Sequence, residues 1–280
     1  MKLIADSGST KTDWRTLNEN GEIGQFKTQG IQPNYMSLDE IAQVIKVGLQ
    51  DLASDDISEI YFYGSGCSSE TNQKVIRNAI QPFFKKANID VNHDLLAAAR
   101  ALCGREKGIA CILGTGSNSG LYDGECFVEN VRSLGYLLGD EGSGTYIGKK
   151  LLVALLRDEL PVLTKTNFQS RFKMTERQVI ENLYKAQKPQ QFLSQFSKFV
   201  FQNIKEPFLY KLVYDAFVDF IEVNVKPYSN YENVPVHFTG SVAFYFGNIL
   251  RKVGQDQGIL VKHIVEGPIA GLTLYHKEEI

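Results

Sequence analysis

Several features that would indicate a metal site or an oxidising compartment are scarce in this chain. Its four cysteines, Cys67, Cys103, Cys111 and Cys126, contain no C-x-x-C pair. With only four histidines they form no zinc-binding pattern. Scattered cysteines of this kind are typical of reduced thiols in a cytosolic protein, so we expect a cytoplasmic location.

Charge and hydropathy argue against two further classes of partner. The 280 residues carry a net charge of −2, which lacks the basic excess of a nucleic-acid-binding protein. No run approaches 18 uncharged apolar residues, and the N-terminus has no apolar run of the signal-peptide type. We therefore expect neither a nucleic-acid nor a membrane partner. Hydrophobic residues make up 43% of the chain, enough to bury one large core or two of ordinary size.

A glycine turn near the N-terminus is the first candidate site. The strand-like run Lys2–Ala5 ends at Asp6, and Gly8-Ser9-Thr10-Lys11 turns into a second strand-like run that starts at Thr12. Strands on both sides exclude the Walker P-loop, which needs a helix directly behind Gly-Lys-Ser/Thr. Such a turn can hold an anion, and an Asp6–Mg²⁺–phosphate arrangement would relieve the repulsion between carboxylate and anion. An ordinary hairpin with a surface aspartate explains the same residues equally well.

The pattern of strands and helices occurs twice along the chain. In each half, three antiparallel strands are followed by helix, strand, helix, strand and helix. The predicted domains are residues 1–106, completed by a C-terminal helix over 267–280, and residues 107–266, with a helical insert at about 158–232. We therefore expect an α/β fold in which each domain is a mixed sheet flanked by helices. Two such domains would face each other across a cleft, where ligands commonly bind.

Three motifs follow one another along the chain, namely Asp6-x-Gly8-x-Thr10-Lys11-Thr12, Leu113–Ser117 and Phe238–Ala243. In this order they resemble the first phosphate motif, the second phosphate motif and the adenosine motif of the actin, sugar-kinase and heat-shock chaperone ATPase superfamily. The resemblance implies two ribonuclease H-like (actin-like ATPase) domains that bind ATP with Mg²⁺, and Asp6 as the metal ligand. The residues that it places at ATP are Gly8, Ser9, Thr10, Lys11, Thr12, Gly114, Thr115, Gly116, Ser117, Gly240, Ser241 and Ala243. Lys11 fits a phosphate contact or a solvated surface lysine.

Within this superfamily, the chain resembles N-acetylglucosamine kinase and the BadF/BadG/BcrA/BcrD ATPase group. Gly139–Ser143 is similar to the signature of that group, and His93-Asp94 stands where the group has its catalytic base. The resemblance implies ATP-dependent transfer of the γ-phosphoryl group to a sugar hydroxyl, with N-acetylglucosamine, giving the 6-phosphate, as the first candidate. It makes Asp94 the base. The side chains that it places at the sugar are Asn34, Ser65, Gly66, Asp94 and Asp140.

Two of these residues keep a structural alternative. Asp94 opens a predicted helix and could be its N-cap, and Asp140 could cap the helix that begins near Ser143.

Two other functions also stay open, namely a BadF-type ATPase that drives a partner protein and a non-catalytic sugar or nucleotide sensor. The cysteine motifs with which the dehydratase activators of this group hold an iron–sulfur cluster are missing, which disfavours the first. Retention of Asp6 and Asp94 disfavours the second. A small-molecule sugar is the expected partner, and a homodimer stays open.

Overall fold

The computed structural model describes residues 1–8, 10–52 and 54–277. The chain divides into two compact units, the first formed by Met1–Arg105 with Gly267–Ile280 and the second by Glu106–Glu266. Within the described ranges, no helix is both long enough and apolar enough to cross a membrane.

The first unit is built on a five-stranded mixed sheet in the order β3-β2-β1-β4-β5. Strand β2 runs antiparallel to both β1 and β3, whereas β4 and β5 run parallel to β1. The strands are β1 (Lys2–Ser7), β2 (Lys11–Leu17), β3 (Ile23–Gln29), β4 (Glu59–Gly64) and β5 (Asn88–His93). The helices are α1 (Leu38–Gly48), α2 (Glu70–Ile80), α3 (Asp94–Cys103) and, from the end of the chain, α12 (Ile269–Lys277).

Local sequence signals set the starts of these helices. Ser37 caps α1 in a capping box with Glu40, as the spacing of the two residues predicts. Ser69 caps α2 through its side-chain oxygen, which accepts a hydrogen bond from the Asn72 N–H. Trp14 and Phe62, which flank Ala5 on the same face of the sheet with ring centroids 5.8 Å apart, share one hydrophobic cluster with the apolar sides of α1 and α2. This packing fixes the sheet edge from which the candidate site is built.

The second unit repeats the topology with the order β10-β9-β6-β7-β8. Strand β7 runs antiparallel to β6 and β8, while β9 runs parallel to β6 and β10. The strands are β6 (Gly108–Leu113), β7 (Ser117–Tyr122), β8 (Phe127–Glu129), β9 (Val236–Thr239) and β10 (Val261–Val265). The helices are α4 (Gly135–Leu138), α5 (Gly144–Leu156), α6 (Val162–Phe172), α7 (Glu176–Lys185), α8 (Pro189–Gln202), α9 (Pro207–Asn224), α10 (Ser241–Tyr245) and α11 (Gly247–Asp256).

The predicted fold class is confirmed, since both sheets have three antiparallel strands followed by two parallel ones. Between β9 and β10, where one helix was expected, the chain forms two helices, α10 and α11, that meet at Phe246. Helix α6 lies within the helical insert predicted at about 158–232, although its sequence shows no continuous apolar stripe and its buried side chains are only Thr164 and Phe168.

Candidate active site

The site in the first unit lies at the carboxyl edge of its sheet. Because β1, β4 and β5 are parallel, their C-terminal ends meet at this edge, where ligands of open α/β sheets bind. In the strand register, Ser7 lies beside Gly64, and Gly64 lies beside His93. Asp6, Ser65 and Asp94 thus come from the ends of three neighbouring strands.

The first glycine turn is closed by a backbone hydrogen bond of 3.0 Å from the Gly8 N–H to the Lys11 carbonyl oxygen. Among the described residues, a Cβ added to Gly8 would meet only that oxygen, at 3.7 Å, so the space that they leave over the Gly8 backbone can admit a ligand. Thr10 is exposed, and the ammonium group of Lys11 lies 2.7 Å from the Asp13 carboxylate. The predicted ATP contact of Ser9 lies outside the described residues.

Thr12 has a structural task in this turn. Its side chain is completely buried, and its hydroxyl lies 2.7 Å from the Ser7 hydroxyl and donates to the Gln29 carbonyl oxygen at 3.2 Å. These bonds connect the ends of β1, β2 and β3. The Thr12 side chain therefore shapes the turn from inside the protein.

The electrostatics of Asp6 favour a nearby cation. Burial, reinforced by the carboxylates of Asp94 and Asp13, raises the pKa of Asp6 to about 7, while the Lys11 ammonium opposes the shift. Among the described residues, no group of three or more His, Cys, Asp or Glu side chains forms a metal cage. Mg²⁺ commonly takes one or two carboxylates and completes its shell with water and phosphate oxygens. Asp6 beside an open glycine turn fits that mode of binding.

Asp94 is the first residue of α3, but it is not the N-cap. That position belongs to His93, whose Nδ1 accepts a hydrogen bond of 3.3 Å from the Leu96 N–H. The Asp94 carboxylate instead accepts from the Leu95 N–H at 2.9 Å. Burial raises the pKa of Asp94, and hydrogen bonding from the Ser65 side chain acts against the rise. A carboxyl group in this setting can accept a proton from a substrate hydroxyl.

The predicted sugar residues of the first unit lie on two loops that contact each other. Asn72 Nδ2 lies 2.7 Å from Asn34 Oδ1 and 2.7 Å from the Gly66 carbonyl oxygen. Gln32 Nε2 donates to the Ser65 hydroxyl at 3.2 Å. Sequence reasoning proposed Asn34, Ser65 and Gly66 but did not predict Gln32 and Asn72, the two amides that connect them. The Asn72 contact spans 38 positions of the chain and becomes visible only in the fold.

The second glycine turn is held against the start of α5. The Gly144 N–H donates to the Gly114 carbonyl oxygen at 2.8 Å, and the Thr145 N–H donates to the Thr115 oxygen at 3.1 Å. Within the turn, the Gly114 N–H donates to the Gly116 oxygen at 3.0 Å. The partial positive charge at the N-terminus of α5 thus lies beside the predicted phosphate-binding residues Gly114, Thr115, Gly116 and Ser117.

Asp140 lies against this second turn. Its Oδ1 accepts from the Ser117 N–H at 3.3 Å, and burial raises its pKa. A Cβ on Gly116 would lie 3.0 Å from Asp140 Oδ2, which explains a glycine there. The N-cap of α5 is Ser143, which accepts from the Tyr146 N–H at 3.1 Å. The capping role that the sequence left open for Asp140 is therefore filled by Ser143.

The predicted adenosine motif borders a cavity. Gly240 has φ = 113°, and an added Cβ would lie 2.3 Å from the Leu113 carbonyl oxygen, so only glycine fits. Ser241 is exposed, while Ala243 is completely buried and packs inside the unit. A cavity of about 380 Å³ adjoins Ser241. Its lining comes from α8 and from residues 241–246, namely Ser197, Lys198, Phe201, Gln202, Ser241, Val242, Tyr245 and Phe246.

The α8 wall of this cavity was not predicted, because the helical insert contains no motif that marks it. Phe201 and Tyr245 are 38% and 51% exposed, with ring centroids 5.4 Å apart. Two partly exposed aromatic rings beside a cavity are a suitable surface for a planar ligand group.

Comparison with known proteins identifies relatives over the whole chain. The sequence model of the BadF/BadG/BcrA/BcrD ATPase family matches residues 5–206. A crystal structure of a candidate N-acetylglucosamine kinase from Porphyromonas gingivalis is 39% identical, with 99% of both chains covered and a TM-score of 0.94. A search of curated protein sequences returned no significant match.

Two more distant structures share the fold. A candidate N-acetylglucosamine kinase from Chromobacterium violaceum is 18% identical, with 98% of both chains covered and a TM-score of 0.73. The ROK hexokinase of Thermus thermophilus is 14% identical, with 98% of this chain and 96% of that chain covered and a TM-score of 0.53.

Proposed function

Because the chain belongs to the BadF/BadG/BcrA/BcrD ATPase family, we propose that it is an ATP-dependent sugar kinase. In this proposal the γ-phosphoryl group is transferred to a hydroxyl of N-acetylglucosamine, giving the 6-phosphate. The observation that carries the proposal is the Asp94 carboxylate, which lies at the carboxyl edge of the first sheet and is not used as a helix cap. The name of the Porphyromonas gingivalis relative, at 39% identity, supports the choice of sugar.

The first unit contributes the groups that act on the sugar hydroxyl. Asp94 accepts the proton of the attacking hydroxyl, and Asn34, Ser65 and Gly66 bind the sugar. Asp6 would hold Mg²⁺, which would neutralise charge on the phosphate oxygens. Burial, followed by the neighbouring carboxylates of Asp94 and Asp13, raises the pKa of Asp6 to about 7, and a cation beside Asp6 would offset these effects.

The second unit contributes the groups that bind the nucleotide. In the turn Gly114–Ser117, the N–H groups of Thr115 and Gly116, with the N-terminus of α5 behind them, receive phosphate oxygens, since those of Gly114 and Ser117 already donate within the protein. Asp140 is proposed to hydrogen-bond the sugar, and its bond from the Ser117 N–H holds it beside that turn. The cavity next to Ser241 receives the adenine ring, with Phe201 and Tyr245 as its aromatic walls. Phosphoryl transfer needs mainly this positioning and charge stabilisation.

An assay of ADP release tests the proposal over a panel of sugars and acylated amino sugars, with MgATP in excess. We expect the largest kcat/KM with N-acetylglucosamine and a dependence of ADP release on the sugar. Mass spectrometry and NMR of the product should locate the phosphate on the 6-hydroxyl. ADP release that continues at the same rate without any sugar would favour an ATPase that drives a partner instead. ATP binding without turnover on any sugar would favour a sensor.

A further inference from the structure

The side-chain amide of Asn34 can present either of its two ends to a ligand. Its oxygen accepts hydrogen bonds and its nitrogen donates them, and the two ends have nearly the same shape. Asn34 is exposed on the loop that follows β3, so burial does not choose between the ends. Whatever fixes the amide therefore decides whether this position offers a donor or an acceptor.

Asn72 fixes the orientation of the Asn34 side-chain amide. The Asn72 amide nitrogen has two hydrogens and two acceptors at 2.7 Å, namely Asn34 Oδ1 and the Gly66 carbonyl oxygen. Turned over, the Asn72 amide would direct its oxygen at those two oxygens, which repel it. The contact with a backbone carbonyl, whose identity is certain, thereby assigns the orientation of both amides. In this orientation, Asn72 Nδ2 donates to Asn34 Oδ1, and Asn34 Nδ2 is the end that can meet a ligand.

The position of Asn72 is itself well held. Asn72 lies in the first turn of α2, and its backbone N–H donates to the side chain of the N-cap Ser69 at 3.3 Å. Its side chain therefore reaches the Gly66 loop from a helix end whose position is fixed. Gly66 has φ = 83°, and a Cβ there would lie 2.9 Å from Asn34 Nδ2, so the glycine keeps the space beside this donor open.

A second amide joins the same two loops. Gln32 Nε2 donates to the Ser65 hydroxyl at 3.2 Å, and hydrogen bonding from Ser65 favours the ionised form of Asp94. Among the described residues, Gln32 Oε1 is buried without a hydrogen-bond partner. A Cβ on Gly66 would lie 2.0 Å from that oxygen, so Gly66 packs directly over it. The loop that carries Asn34 is thus tied to the loop that carries Ser65 and Gly66 at two points.

We propose that Asn72 is a positioning residue that sets the polarity of the sugar site, and this inference rests on the proposed function. By holding Asn34 Oδ1, Asn72 makes Asn34 an N–H donor toward the sugar. The site then selects sugars that present an oxygen acceptor at this position and discriminates against analogues that lack it. Loss of such a partner leaves a polar group of the site unpaired, which is an effective basis for specificity.

The decisive variant is Asn72→Asp. Its carboxylate can no longer donate to Asn34 Oδ1 or to the Gly66 carbonyl oxygen, so it moves away from Gly66, and Asn34 turns over to donate to it and presents its oxygen to the sugar. We expect the KM for N-acetylglucosamine to rise at least tenfold, while kcat stays within about threefold and the KM for ATP is unchanged. Asn78→Asp, with the same charge change at an exposed position of the same helix, is the matched control and should behave as the wild type.

A double-mutant cycle separates positioning from a general structural effect. If Asn72 acts through Asn34, the Asn72→Asp substitution should change the sugar KM by less than about twofold in an Asn34→Ala background. An equal KM effect in both backgrounds, or a sugar KM within threefold of wild type in Asn72→Asp alone, would overturn the inference but not the kinase proposal. Absence of wild-type turnover on every sugar would overturn the kinase proposal and this inference with it.

Discussion

The two units of this protein have the same sheet topology but different chemistry at the equivalent turn. In both, a glycine turn connects the first and second strands, and parallel strands follow on the other side of the first strand. The second-last residue of β1 is Asp6, whereas the second-last residue of β6 is Ile112. The same backbone frame thus supports a charged turn in one unit and an uncharged turn in the other.

The difference separates two tasks. The carboxylates proposed for metal binding and proton transfer, Asp6 and Asp94, both belong to the first unit. The second unit instead offers backbone groups, the N-terminus of α5 and an aromatic cavity, which we propose bind a nucleotide without reacting with it. We infer that substitutions of Asp6 and Asp94 in the first unit lower turnover, while substitutions at the cavity of the second unit weaken ATP binding.

The largest effect should come from Asp6→Asn. The substitution removes the proposed metal ligand. It also leaves the end of β1 without a carboxylate, as at the corresponding position of β6, which is Ile112. A bound metal stabilises the charge that develops in the transition state by several kcal/mol, so its loss should lower turnover by about a hundredfold or more. Added Mg²⁺ should recover part of the loss, which a titration of activity against Mg²⁺ measures. Wild-type activity that a chelator leaves undiminished would contradict the metal role.

A smaller effect is expected from Phe201→Ala in the second unit. Stacking of a base on an aromatic ring contributes about 1–3 kcal/mol, so the KM for ATP should rise by about tenfold. Turnover at saturating ATP and the KM for sugar should stay near the wild-type values. Tyr184→Ala removes a ring that is 86% exposed in the same helical insert and serves as the control. An unchanged KM for ATP in Phe201→Ala would place the base elsewhere.

Substitution of His237 by glutamine should have the smallest effect on activity, but it should change how the stability of the fold depends on pH. It occupies in β9 the position that Tyr61 occupies in β4, because each pairs with the third residue of the first strand in its sheet. Burial, reinforced by His263 and Lys262, lowers the pKa of His237 from 6.5 to about 4. Between these values the unfolded chain binds a proton that the folded chain does not, so stability falls as the pH is lowered.

The difference between a pKa of 6.5 in the unfolded chain and about 4 in the folded chain corresponds to about 3 kcal/mol of folding stability. This stability is fully present above pH 6.5 and is lost as the pH falls toward 4. Denaturant unfolding at several pH values should therefore show a shallower acid limb for His237→Gln than for the wild type. His263→Gln, at the exposed neighbouring ring, should keep most of the wild-type slope. Equal slopes for wild type and His237→Gln would show that His237 is not the group responsible.

The sequence was sufficient for the parts of the molecule that local signals determine. Alternating strands, the capping box at Ser37 and the two glycine turns led to the observed sheet topology. The parallel order of β1, β4 and β5 also explains why Asp6 and Asp94, far apart in the chain, lie near each other, since the carboxyl ends of parallel strands share an edge.

What the sequence did not predict depends on tertiary packing. The contact of Asn72 with Asn34 requires the two loops to meet, and no spacing rule links residues 38 positions apart. The caps of α3 and α5 are His93 and Ser143, although Asp94 and Asp140 are equally suitable by residue type. The cavity wall on α8 has the same periodicity as a helix face that packs in a core, so Phe201 carries no separate signal.

Single-turnover kinetics of Asp94→Asn, with nucleotide affinity measured on the same protein, test the division of tasks most directly. Asparagine keeps the shape of the side chain and can still accept from the Leu95 N–H, so the melting temperature should stay near that of the wild type. Asp39→Asn, in the exposed first turn of α1, is the matched control. Because a positioned general base is worth about 10²- to 10⁴-fold in rate, we expect phosphoryl transfer at least a hundredfold slower with the Kd for ATP within about threefold of wild type. Retention of more than a tenth of the wild-type rate on the best sugar would show that Asp94 is not the base and would contradict the account.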